Sequence, residues 1–70
     1  MYEGTIKKVT SKGFGFIVSP DFEKEIFFHA SGLAKGYLFN NLKDGDRVCF
    51  DEVQKTPKGE QAIGVRPIEE

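Results

Sequence analysis

The chain has 70 residues, with 10 Lys and Arg against 11 Asp and Glu, one His, one Cys and no Trp. That length holds one small domain, burying about 60% of the surface its unfolded form exposes, which excludes a large substrate cleft or a second domain. A net charge of −1 excludes a nucleic-acid binder that relies on phosphate neutralisation alone. The apolar runs are far shorter than the roughly 20 residues of a membrane span, and the N-terminus has no basic stretch followed by an apolar block, so a soluble, unexported protein with no membrane partner is expected. Cys49 has no partner for an internal disulfide, which for so small a chain predicts a reducing compartment, the cytoplasm.

Apolar and polar residues alternate with period two, turn residues interrupt them at short intervals, and no long window carries a helical stripe. The spacing predicts a first strand over residues 2–9, a turn at Thr10-Ser11-Lys12, a second strand over 13–18, a turn at Ser19-Pro20-Asp21 and a third strand over 25–29, together a meander. Residues 31–46 form a long connection punctuated by Gly32, Gly36, Asn40-Asn41 and Asp44-Gly45, with at most a short helical turn near 31–34. A loop of that length is usually functional or topological. A fourth strand over 47–53, a turn at Thr56-Pro57-Lys58-Gly59 and a fifth strand over 61–65 follow, before Arg66-Pro67 and the acidic Glu69-Glu70. Short strands in three-then-two order predict an all-β fold, a five-stranded antiparallel Greek-key barrel forming one domain over residues 1–70.

Five of the seven Phe fall between Phe14 and Phe28. Alternation sends Phe14, Phe16 and Val18 to one face of the second strand and Gly13, Gly15 and Ile17 to the other; in the third strand it separates Phe27 and His29 from Ile26 and Phe28. Ile17, Ile26 and Phe28 belong with Ile6, Val48, Phe50, Ile63 and Val65 as core, which leaves Phe14, Phe16, Phe27 and His29 facing water. A one-residue register slip would bury these rings and expose Ile17 and Phe28 instead. Gly15 weighs against the slip, because a glycine between two outward rings leaves flat backbone that a planar ligand can approach. Contiguous exposed apolar patches mark binding surfaces. Rings flanked by Lys7, Lys8 and Lys12 suit a single-strand platform, where bases stack on the rings for about 1–3 kcal/mol each while ammonium groups meet phosphates.

Lys12-Gly13-Phe14-Gly15-Phe16-Ile17 follows the basic-Gly-aromatic-Gly-Phe ribonucleoprotein motif. The RNA-recognition-motif version needs an aromatic where Ser19 stands, and two helices for which this chain has no pattern. Nine residues on, Ile26-Phe27-Phe28-His29 resembles the second cold-shock motif. Gly4-Thr5-Ile6-Lys7, Ser31 and Leu33, Asp44-Gly45 through Phe50, and Gly59 with Gln61-Ala62 and Val65 carry the likeness over nearly the whole chain. The sequence therefore resembles the bacterial cold-shock protein family. The resemblance implies an OB-type barrel that binds single-stranded RNA and DNA over its first three strands and acts as an RNA chaperone influencing transcription and translation. By matching position it also implies stacking by Phe14, Phe16, Phe27 and His29, phosphate or polar contacts from Lys7 and Lys12, and a loop aromatic at Phe39, with Tyr37 competing for that role.

Several positions depart from the family pattern. Where the family usually has Trp-Phe-Asn after the first-strand Lys, this chain has Lys8-Val9-Thr10 and is one residue shorter before the glycine motif; Ala30 replaces a Phe and Gly64 an Asn. Losing two or three stacking positions predicts binding weaker by about 2–6 kcal/mol before compensation, part of which Lys8 supplies through phosphate contact. His29 has neither a nucleophile nor an orienting carboxylate among its sequence neighbours, and no His/Cys pair exists for a metal, so neither catalysis nor a metal or small-molecule cofactor is expected. Cys49 is expected to alternate outward as an inert thiol. The rival reading is a protein-interaction or self-associating barrel with a degraded platform, favoured by the missing first-strand aromatics. The two motif glycines, three outward Phe and His29 favour nucleic acid, with the protein a monomer or weak dimer.

Overall fold

The computed structural model describes residues 1–57 and 59–68. The strands are β1 (Tyr2–Val9), β2 (Phe14–Val18), β3 (Ile26–His29), β4 (Arg47–Phe50), β5 (Glu52–Thr56), β6 (Gly59–Ile63) and β7 (Arg66–Pro67), in one seven-stranded sheet of order β5-β6-β3-β2-β1-β4-β7. No α-helix occurs among the described residues, and none of their helices is long and apolar enough to cross a membrane. The long connection after β3 holds two 3₁₀ turns, Ala30–Gly32 close to the expected helical turn and Phe39–Asn41, which the apolar spacing does not announce. Lys58, in the expected turn before β6, and Glu69-Glu70 lie outside the described residues.

The β1–β2–β3 meander pairs antiparallel, as the alternation predicts. The sheet as a whole is mixed, because β3 meets β6 in parallel through Phe27 and Gln61. Seven strands replace the expected five because both late segments break. The segment expected over 47–53 breaks at Asp51, and the last segment starts at Gly59 and breaks at Gly64. Gly64 has φ +75°, a left-handed conformation that suits glycine, and a Cβ there would lie 2.9 Å from Asp51 Cγ. Asp51 N–H donates to Ile63 O at 2.9 Å, while Arg66 Nη1 donates to Asp51 Oδ1 at 3.0 Å and to Gly64 O at 2.9 Å. These bonds clamp the two breaks together, and the bond to Asp51 raises the Arg66 guanidinium pKa above its ordinary value. Beyond the breaks, β4 pairs with β1 and β7 while β5 pairs with β6, so one stretch of chain serves both ends of the sheet order and the sheet curls on itself.

The interior is close to the expected one: Ile6, Ile17, Ile26, Phe28, Val48, Phe50 and Val65 are all at most 1% exposed. Burying such a side chain contributes about 1.5–3 kcal/mol. Ile63 is a correction, since it is half-buried while Ala62 is fully buried. Alternation along β6 points Ala62 inward, and the left-handed Gly64 resets the parity so that Val65 again faces the core. Leu42, from the long connection, completes the cluster. Cys49, expected to point outward, stands apart from the core cluster but is buried, in register with Glu3 of β1 and Arg66 of β7.

Candidate functional site

With Ile17, Ile26 and Phe28 committed to the interior, the opposite faces of β2 and β3 carry Phe14, Phe16, Phe27 and His29. Cross-strand register sets Phe14 opposite His29 and Phe16 opposite Phe27. The three rings cover one another in part, with centroids 5.6 Å apart for Phe14–Phe27 and 6.1 Å for both Phe14–Phe16 and Phe16–Phe27. Phe16 stands edge-on to the other two, at 88° to Phe14 and 69° to Phe27. All four side chains are half-buried while remaining outside the core cluster. Gly15 serves a different purpose from the one its position suggests. It points inward opposite Phe28, and a Cβ there would come within 2.8 Å of Phe28 Cε1, so the missing side chain makes room for a core ring rather than for a ligand.

A bulge at Lys7 brings Lys8 into line with the rings: the register passes from Ile6–Ile17 to Lys8–Phe16. Lys8, Phe16, Phe27 and Gln61 thus form one row across β1, β2, β3 and β6. The 43–46 turn supports this end of β1, with Ile6 N–H donating to Asp46 O at 2.8 Å, Gly45 N–H to Ile6 O at 2.7 Å, and Val9 N–H to Asp44 Oδ1 at 2.8 Å. Lys7 Nζ lies 3.0 Å from Glu25 Oε1, an exposed pair of the kind that contributes about 0–1 kcal/mol. Lys12 is exposed in the β1–β2 turn, held through its N–H to Thr10 Oγ1 at 3.3 Å, with Gly13 at φ +90° completing the turn. His29 Nδ1 accepts from Ser31 N–H at 3.1 Å and lies 2.9 Å from Ser31 Oγ.

Two hollows flank Phe27. One is lined by Phe16, Lys24, Glu25, Phe27, Gly59 and Glu60, the other by Phe27, His29, Thr56, Pro57 and Gln61. The β5–β6 contribution has no local signal in the sequence, because the parallel Phe27–Gln61 contact joins residues 34 apart. Phe39, in the long connection, is half-buried, and its ring packs on buried Phe28 at 5.7 Å, at the edge of the core and apart from the three outer rings. Tyr37 lines a separate hollow with Met1, Glu3, Cys49 and Arg66. Among the described residues, no group of three or more His, Cys, Asp or Glu could hold a metal ion.

Residues 2–68 match the family model described as the "Cold-shock" DNA-binding domain. The chain is 42% identical over 69 residues to the probable cold shock protein A of Mycolicibacterium smegmatis, covering 97% of this chain and 100% of that protein. It is 42% identical over 69 residues, with the same coverage, to the major cold shock protein of Micrococcus luteus. It is 43% identical over 58 residues to the cold shock-like protein CspC of Escherichia coli K12, covering 83% of this chain and 81% of that one. An all-β chain with this coiled sheet and aromatic face is of the cold-shock class, and it belongs to the cold-shock DNA-binding domain family.

Proposed function

We propose that the outer face of β1, β2 and β3 binds single-stranded RNA and DNA by stacking bases on Phe14, Phe16, Phe27 and His29, with Lys7, Lys8 and Lys12 meeting phosphates. The observation that carries this reading is the contiguous set of three phenylalanine rings on the solvent side of a sheet whose other side is already filled. Rings gathered on the solvent side rather than in the core form an apolar patch of the kind that marks a binding surface. Phe39 is left out of the proposed site because its ring is spent on the core. Lys8, in the row with Phe16 and Phe27, adds charge where the family usually stacks a ring, so binding rests on fewer stacks and more on phosphate contact. Within the cell the protein acts as a cytoplasmic RNA chaperone in transcription and translation regulation, opening weak secondary structure by holding its single strands; it has no catalytic role. The same reading takes the sheet as a five-stranded OB-type barrel, since one residue separates β4 from β5 and two separate β6 from β7.

The test is the Phe16→Ala/Phe27→Ala double variant. Two lost stacks are expected to weaken single-strand binding by about 2–6 kcal/mol, while the far-UV spectrum and cooperative unfolding remain, because both rings lie outside the core cluster. Undiminished binding by a folded double variant would remove these rings from the site.

A further inference from the structure

Among the four outer side chains, His29 alone has polar atoms, and its two ring nitrogens are not equivalent. Nδ1 faces Ser31, accepting the main-chain N–H at 3.1 Å with Ser31 Oγ at 2.9 Å. His29 is the N-cap of the Ala30–Gly32 turn, so this N–H is one of the free donors at the start of that turn. A main-chain amide can only donate. Nδ1 must therefore present its lone pair to it, and the neutral ring carries its proton on Nε2. The main-chain donor is present whatever non-proline side chain stands at position 31.

Resting on the single-strand reading above, we propose that the main-chain N–H of residue 31 fixes His29 as its Nε2–H tautomer, so that the aromatic face offers the bound base a hydrogen-bond donor. His29 lines the hollow formed with Phe27, Thr56, Pro57 and Gln61. A base entering that hollow stacks on aromatic surface and is held through an acceptor, of which the ring carbonyls of thymine and uracil are well-exposed examples. His29 thus does what a fourth phenylalanine at this position could not. It adds selection for the polar edge of a base that stacks on the neighbouring Phe27.

Two measurements test this. Two-bond proton–nitrogen correlation spectra of the free protein at neutral pH are expected to show His29 with a protonated Nε2 and an unprotonated Nδ1. Ser31→Ala is expected to keep that pattern, because the main-chain donor remains. An Nδ1–H pattern would overturn the proposal whatever the protein binds. The second is a thermodynamic cycle between heptathymidylate and the same heptamer with its thymines replaced by 2,4-difluorotoluene, an isostere that stacks but accepts hydrogen bonds poorly. The ratio of the two affinities is expected to be about five-fold larger for the wild type than for His29→Phe, as one net hydrogen bond implies. An equal ratio in both proteins would overturn the donor role. Failure of heptathymidylate to bind the wild type would instead refute the single-strand reading and the base contact with it, while the nitrogen spectra would still decide the tautomer.

Discussion

Phe27 and Phe28 are neighbours in sequence and opposites in use: one is half-buried on the outer face, the other has no exposed surface. Strand geometry alone makes this division, so it was legible from alternation once the aliphatic residues of the other strands had identified the core side. The direction of Phe39 was not legible, because it sits in an irregular connection where no period fixes a side chain, and its packing on Phe28 is a contact between residues far apart in sequence. The two kinds of ring are expected to separate in experiment. Phe39→Ala should lower stability by about 1–3 kcal/mol, less than the loss of a fully buried Phe, and leave single-strand affinity unchanged; urea unfolding and a binding titration on the same variant check both halves. Gly15 takes the face that alternation predicts, but its missing side chain makes room for the Phe28 ring. Gly15→Ala, which drives a methyl toward the Phe28 ring and the Lys8 carbonyl, is expected to destabilise the fold by about 1–3 kcal/mol, seen as a lower urea midpoint.

At the level of elements, the meander was visible in the sequence because each of its strands has one apolar side and a turn at each end. The later strands were visible as apolar stretches but not as bent ones. The bend depends on Asp51, Gly64 and Arg66 meeting across the sheet, and such a meeting leaves no periodic trace. For the same reason alternation alone places Ile63 inside instead of Ala62: the parity change at Gly64 follows from its φ of +75° rather than from any apolar spacing. Gly64→Ala is expected to cost about 1–3 kcal/mol from left-handed strain alone, with the crowding against Asp51 adding to it. Thermal unfolding of the variant checks this. Unchanged stability would show that the break does not depend on glycine.

For the whole molecule, a net charge of −1 leaves no general attraction for polyanions, so the proposed binding relies on the face where Lys8 joins the ring row and Lys7 and Lys12 stand nearby. Two short motifs made the family legible in the sequence. They did not reveal that the β5–β6 hairpin borders the face, since that follows from how the sheet curls. A surface of this kind should distinguish single strands from duplexes, because stacking needs bases free of their partners.

The most direct measurement is an anisotropy titration of a labelled pyrimidine-rich single strand of about seven nucleotides at two salt concentrations, with the matching duplex alongside. The expected result is saturable binding of the single strand alone, with affinity falling by about 0.7 logarithmic units per phosphate contact for each tenfold rise in salt, over some two to four contacts. No binding at high micromolar protein, or equal binding of the duplex, would contradict the assignment of the Phe14–Phe16–Phe27–His29 face to single-stranded nucleic acid.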